Sequence, residues 1–311
     1  VSNLHVIAGS GPLGQWTARA LLGMGRQVRM INRSGTAADA PAGVEVVRGD
    51  LSDGAQAREL LRGAAAVYQC AQPAYHRWIT EFPPLQDAVL AGARAAGARL
   101  VLAENLYMYG DPQGAVLTET TPYRAHTRKG RLRRTLTERA FAAQQRGELE
   151  VTAARGSDFF GPYDLLCAEQ HYQPALAGST VNVLGRIDRP HTLTYVADFG
   201  RALAVLGTDA RAVGRAWHVP SAAALTLAQY FALIEQAIGR TVTLRPAGRA
   251  ILTLLGLFNP NIRELPEMLY QFERPFVMDS SAFSTTFGVQ PTPLSESVAA
   301  TAAWAAALPR H

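Results

Sequence analysis

Three glycines, Gly9, Gly11 and Gly14, stand in the order G-x-G-x-x-G behind the mostly apolar run His5 to Ala8. That spacing closes a buried strand, turns the chain, and opens a helix whose first residues include Pro12 and Leu13. The first glycine permits the tight bend, the second lets backbone approach a pyrophosphate, and the third lets helix pack on strand. Free N–H groups and the positive dipole end of the helix favour phosphate there. The chemistry indicated is dinucleotide binding, with a glycine-rich surface turn as the plain alternative. Leu13, Thr17, Leu21 and Met24 recur at helical spacing after the turn, which favours the former.

About twenty residues past such a turn, an acidic side chain would hydrogen-bond the adenosine ribose of NAD. This chain reads Asn32-Arg33-Ser34 there. No carboxylate repels a 2′-phosphate, Arg33 can pair with one, and Ser34 can donate to it. NADP(H) is therefore expected over NAD(H); a solvated loop arginine is the alternative reading. Downstream, Asp50-Leu51 is placed against adenine, unless Asp50 merely caps a helix near Ser52-Asp53. Cys70, Ala71 and Lys129 are expected against the cofactor, and Gln72 and Tyr107 against substrate.

Four further residues could move protons or polarise a carbonyl. The Asn105 amide can donate to a carbonyl or alkoxide oxygen. Tyr107, two residues on in an extended segment, points to the same side and is a candidate acid. Lys129 and Arg133 share one side of a helix at i, i+4. Arg133 keeps its proton at any useful pH. Lys129 acts as an acid only if its pKa falls well below its free value of about 10. A close Arg133 and a cationic nicotinamide ring would both push it that way. Against these stand plainer readings: a basic helix face for Arg128 to Arg134, and a buried aromatic for Tyr107.

The elements that must position these groups alternate. Strands are expected at 4–8, 27–31, 44–48, 65–70, 99–103 and 150–155, with helices near 12–24, 54–62, 78–97 and 128–147. This order predicts an α/β fold, a Rossmann-type doubly wound parallel sheet, with ligands at the strand carboxyl ends. Residues 1–162 are assigned to the dinucleotide-binding domain and 163–311 to a smaller, mainly helical substrate lobe, with segments near 191–220 returning to the sheet. There, Asp198 is expected to cap a helix over 199–207, followed by a strand at 215–219. Helices are expected over 225–238 and 249–272, the latter broken at Asn259-Pro260, and over 293–308. Residues 250–258 are too short to span a membrane and suit a buried helix.

Composition narrows the function classes. Of 311 residues, 48% are hydrophobic and 18% charged, ordinary values for a globular chain. The net charge is +5 and the pI about 9.5. The arginines are scattered, and the one dense run is Arg128 to Arg134, so no nucleic-acid partner is expected. No signal pattern or membrane span is read, so no membrane partner is expected and the location is taken as cytoplasmic. Two cysteines, Cys70 and Cys167, form neither a disulfide framework nor a metal cluster, and both are read as buried thiols.

Several segments together resemble the extended short-chain dehydrogenase/reductase family of the nucleotide-sugar epimerase/dehydratase type. They are the glycine turn, Gly49-Asp50-Leu51, Glu104-Asn105-Leu106-Tyr107-Met108-Tyr109-Gly110, and Leu117 to Pro122. Arg155 through Gly161-Pro162 and Tyr195-Val196-Ala197-Asp198 complete the set. The resemblance implies a hydride-transferring active site with Ser or Thr, Tyr and Lys. Here Asn105 stands at the hydroxyl place, Lys129 at the tyrosine place and Arg133 at the lysine place. Dehydratase members use an acidic residue at the place of Tyr107. Where the family has an Asn before an aromatic-Gly-Pro turn, this chain has Asp158, and His191 replaces an arginine that binds the diphosphate. Both changes imply a smaller, less anionic substrate, with Asp158 and His191 on its site; a turn cap and a loop histidine are the plain readings. Tyr75, Trp78, Tyr107, Tyr163, Tyr172 and Phe276 are candidates to line the pocket. Pairing of helices 78–97 and 128–147 into a homodimer is also implied.

The function expected is an NADP(H)-dependent oxidoreductase or epimerase-like enzyme acting on a small carbonyl or hydroxyl compound. Its alternatives are a non-catalytic NADP(H) sensor and a non-redox lyase or isomerase that retains the cofactor. No metal is expected.

Overall fold

The apolar run after Asn3 forms strand β1, Leu4–Ala8, whose Val6 and Ala8 face one side of a sheet and Ile7 the other. Burial on both faces is what a central parallel strand needs, and β1 pairs in parallel with β2 (Gln27–Asn32) and β4 (Ala66–Gln69). The computed structural model describes residues 3–309. Adding β3 (Val44–Arg48), β5 (Arg99–Glu104), β6 (Val151–Arg155) and the strand Ala216–His218 gives seven parallel strands. Their order is Ala216–His218, β6, β5, β4, β1, β2, β3, so the winding reverses between β1 and β4.

Helices cover both faces. Helix α1 (Pro12–Gly23) lies on one, beside Val196–Thr208, around Ala18, Leu21, Phe199 and Leu203. The other face carries α2 (Gly54–Leu60), α3 (Trp78–Ala96) and α4 (Arg128–Gln145) around Ala57, Val89, Ala93 and Ala140. The helix Val196–Thr208 crosses α1 at Gly200, where a Cβ would lie 2.5 Å from that of Trp16.

The rest of the chain builds a second core around Phe160, Tyr172, Tyr230, Phe231, Ile234 and Val298. Leu227–Ile238 opens it with a reciprocal cap between Thr226 and Gln229, and Leu294–Ala306 closes it. Two small parallel pairings also occur, Asp158–Phe160 with Leu193–Tyr195 and Val181–Leu184 with Leu244–Ala247. No periodicity announced them, because three- and four-residue strands are too short to alternate visibly.

Three expectations need correcting. Asp198 is not a cap: the helix starts at Val196, and the Asp198 carboxylate accepts instead from the Thr292 backbone at 2.7 Å and hydroxyl at 2.6 Å. Burial raises its pKa despite those bonds. The second is that residues 250–258 are not buried: only Leu252 and Gly256 turn inward, while Leu257 and Phe258 are 73% and 86% exposed. The third is that past Asn259-Pro260 the chain forms a 3-10 turn, Ile262–Glu267, and the short helix Tyr270–Glu273 rather than one helical piece. No helix among the described residues is long and apolar enough to cross a membrane.

Candidate active site

At the carboxyl ends of the strands lies a cleft of about 720 Å³. The glycine turn forms its floor. Gly9 has φ +104°, and a Cβ there would stand 2.8 Å from Ala71 N, so neither backbone nor space admits a side chain. Gly14 backs the turn: a Cβ would meet Gly9 O at 2.2 Å. Gly11 differs. Its φ is −72° and nothing lies within 4 Å of a Cβ, so the fold itself does not demand glycine there. The space a side chain would fill opens into the cleft that Gly9, Ser10, Gly11, Pro12 and Leu13 line. A pyrophosphate on the first turn of α1 fits that cradle.

At the β2 end, Asn32, Arg33, Asp50 and Leu51 line the same cleft. Asn32 is consumed by the loop: its amide donates to Ser10 Oγ at 2.8 Å and Thr36 O at 2.7 Å, while Oδ1 accepts from Gly35 N at 2.7 Å. Ser34 does not reach the cleft; its hydroxyl bonds Asn32 Oδ1 and Thr36 O, so it orders the turn that presents Arg33. The helix cap is Asp53, which accepts from Ala55 and Gln56, leaving Asp50 on the cleft wall. Hydrogen bonds from the Ser52 side chain and backbone hold the Asp50 carboxyl below its ordinary pKa. Cys70, Ala71 and Gln72 line the wall after β4. Burial pushes the Cys70 thiol up to about 12, which favours the protonated thiol. Both cysteines are free.

Asn105 and Arg133 line the opposite end of the cleft with Trp78, Phe82 and Glu104. Asn105 Oδ1 accepts from Tyr107 N at 3.2 Å, which leaves its amide hydrogens as what it can offer. The Arg133 guanidinium is buried, lies 4.9 Å over the Phe82 ring, and donates to Ala103 O at 3.2 Å. Its Nε is buried without a hydrogen-bond partner among the described residues. A buried donor left unpaired beside a cleft is costly, and a bound hydroxyl would satisfy it. Beneath lies Glu104, bonded by Thr137 and by Arg155 at 2.9 Å across the β5–β6 register.

Lys129 is elsewhere. It is fully buried and absent from the cleft wall. Its Nζ donates to Glu264, and to Glu267 at 3.1 Å, and lies 4.4 Å over the Tyr75 ring. Its near charged partners are therefore two carboxylates, not Arg133. Burial opposes the charge on Glu264, yet the hydrogen bond and charge of Lys129, helped by Arg128, hold its pKa below the ordinary value. Gly130 brings this turn of α4 in: a Cβ would stand 2.7 Å from Tyr107 O. Lys129 and Arg133 do share the inward side of the helix, while Arg128, Arg131 and Arg134 face solvent.

Tyr107 is also off the cleft wall, its hydroxyl 3.5 Å from that of Tyr75 and its ring 6.0 Å from Trp78. Burial, then the Asp158 charge, raise its pKa, so it holds its proton firmly. Asp158 contacts His191 Nε2 at 2.6 Å, and His191 Nδ1 faces Gln271 O at 3.1 Å. The imidazole is stacked on Phe272, nearly parallel at 6°, and on Phe276. Of the aromatic candidates, Tyr75, Trp78 and Tyr107 cluster, and Phe276 backs His191. Tyr172 sits in the lobe core on Tyr230, and Tyr163 sits over Arg19 beside the glycine helix. Sequence reasoning missed Glu264, Glu267 and Gln271; the one signal was an acidic pair ending a stretch without acidic residues from 236 to 263.

The NAD dependent epimerase/dehydratase family model matches residues 5–219. Among curated proteins none matches. The fold is similar to that of a UDP-glucuronic acid 4-epimerase from Bacillus cereus in complex with NAD, at 15% identity, 97% of this chain, 98% of that one and TM-score 0.79. It is also similar to a Thermus thermophilus UDP-glucose 4-epimerase complex with NAD, at 18% identity, 98% and 99% coverage and TM-score 0.79. A dTDP-glucose 4,6-dehydratase from Streptomyces venezuelae is similar at 18% identity, 97% and 96% coverage and TM-score 0.77.

Proposed function

The chain belongs to the NAD dependent epimerase/dehydratase family, and from that premise we propose an NADP(H)-dependent oxidoreductase or epimerase-like enzyme acting on a small carbonyl or hydroxyl compound. The observation that carries this reading is the cleft with a bare Gly11 at one end and the unpaired Nε of buried Arg133 at the other. When bound, the dinucleotide supplies hydride exchange. Gly9, Gly11, Pro12 and Leu13 receive its pyrophosphate, with Gly14 supporting the turn. Asp50, Leu51, Cys70 and Ala71 flank its adenine side, and Arg133 holds a ribose hydroxyl. The solved neighbours hold NAD; the NADP assignment for this chain rests on Arg33 and on the lack of a carboxylate at positions 32–34.

In this reading Asn105 donates its amide to the substrate oxygen, and Gln72 borders it. Both acid candidates lie behind the cleft wall, and Tyr107 is favoured over Lys129 only because the Lys129 ammonium is already engaged by Glu264 and Glu267. The substrate in this reading is a small molecule less anionic than a sugar nucleotide, because an Asp158–His191 pair stands where the family's pattern would put a cationic clamp. A homodimer through α3 and α4 belongs to the same proposal. That engagement of Lys129 equally favours a second reading, a protein that binds the dinucleotide without turnover.

Calorimetric titration with NADPH and NADH, followed by turnover screens on carbonyl and alcohol panels in both directions, tests the reading. Tighter NADPH than NADH binding, lost about tenfold in Arg33→Ala, supports the cofactor assignment. Turnover that survives Lys129→Met but not Tyr107→Phe supports the proton donor named here. Dinucleotide binding with no turnover of any class replaces the enzyme by the sensor. Equal or tighter NADH binding removes the NADP assignment.

A further inference from the structure

The helix Arg249–Leu255 and the turn after it carry Ile251, Leu254, Leu255 and Phe258, at i, i+3, i+4 and i+7. That spacing draws an apolar stripe along one side of a helix. Here the stripe points away from the protein: these four are 48%, 62%, 46% and 86% exposed, and neighbouring Leu257 is 73% exposed. The inward positions, Leu252 and Gly256, supply the packing on the chain. An outward stripe of this kind exceeds the scattered exposed leucines of an ordinary surface.

The stretch of chain that carries it is charged in one sign, and the acidic residues that follow, Glu264 and Glu267, are turned to Lys129. Between Glu235 and Glu264 the chain has no acidic residue and four arginines, Arg240, Arg245, Arg249 and Arg263, all exposed. Arg240 donates to Leu176 O and Arg245 to Asn182 Oδ1, both neutral acceptors, so neither bond cancels the charge. Large apolar side chains amid uncompensated arginines match the boundary between acyl chains and anionic headgroups. A second copy fits less well, because a two-fold contact over this stripe would bring the flanking arginines of both copies together.

We infer that the 249–263 segment is a membrane-surface contact that lays its apolar stripe into an anionic lipid interface while the arginines meet the headgroups. The expectation of no membrane partner then holds only for spanning helices. The contact is peripheral and independent of the reaction assigned above.

Co-sedimentation of the full chain with large vesicles tests this, comparing phosphatidylcholine alone with phosphatidylcholine containing phosphatidylserine. The chain is expected to pellet with the anionic vesicles at low ionic strength and to be released by salt. Leu254→Asp and Phe258→Asp are expected each to weaken vesicle binding at least tenfold with little change in melting temperature, since both side chains are mostly exposed. Arg249→Glu with Arg263→Glu should weaken binding to anionic vesicles to the same degree. Two results overturn the inference: no binding to either vesicle at low salt, or concentration-dependent self-association that Leu254→Asp abolishes while vesicle binding is absent.

Discussion

Glu264 and Lys129 form a buried ion pair between the 3-10 turn 262–267 and the first turn of α4. Arg128 and Glu267 extend it, and His76 bonds Asn261 beside it at 2.9 Å, so one strap of the later chain is fastened to the start of α4 and to the turn that carries His76 by polar contacts. Removing Glu264 leaves the buried Lys129 ammonium with Glu267 as its remaining carboxylate partner among the described residues. Glu264→Ala is expected to destabilise the fold by about 3 kcal/mol, read from urea unfolding, while Glu264→Ala with Lys129→Met recovers most of that loss. Additive losses would show that the two side chains are not coupled.

The two ends of the glycine turn should respond differently. Gly9→Ala meets both an unfavourable φ and the Ala71 backbone, so a loss of about 1–3 kcal/mol is expected. Gly11→Ala meets open space and should change stability by no more than about 0.5 kcal/mol. Its methyl instead occupies the phosphate cradle, and NADPH affinity should fall at least tenfold by calorimetry. Unchanged affinity in a folded Gly11→Ala protein would remove the dinucleotide from this turn.

Acid sensitivity follows from His218. Its Nδ1 faces Asp279 O and its Nε2 faces the Tyr109 hydroxyl, both at 2.8 Å, an arrangement that suits the neutral ring. Burial lowers its pKa to about 4, below the 6.5 of an unperturbed histidine. The unfolded chain therefore binds this proton in the window between, and the folded chain does not. Stability is full above about pH 6.5 and falls as pH drops; at pH 5 the loss from this one residue is about 2 kcal/mol. Urea midpoints from pH 7 to 5 should show the decline, and a flatter profile in His218→Gln checks its source.

Much of the scaffold was legible because its signals are local. Glycine spacing and apolar runs placed β1 to β6 within a residue or two, and Arg33, Asp50, Asn105 and Arg133 line one cleft. Ser34 failed because a small hydroxyl beside Asn32 satisfies itself within the turn before it can reach a ligand. Lys129 failed for a different reason. Its partners lie 135 and 138 positions away, and no periodicity reports a contact of that separation. The outward face of 249–258 was illegible because an i, i+3, i+4 pattern marks an apolar side without saying which way it points.

The helix Val196–Thr208 and the strand Ala216–His218 have a consequence for the chain as it is made. The seventh strand and the cover over the α1 side of the sheet arrive only after residue 219 has left the ribosome. Until then β6 is an unpaired edge, and Ile7, Ala18, Leu21 and Met30 lack Phe199, Leu203 and Trp217 against them. At ordinary rates of synthesis, about 5–20 residues per second, that half-built sheet persists for several seconds with a bare flank and an open edge. A synonymous slow stretch soon after codon 162 would lengthen this interval, and chaperone dependence during synthesis should rise with it.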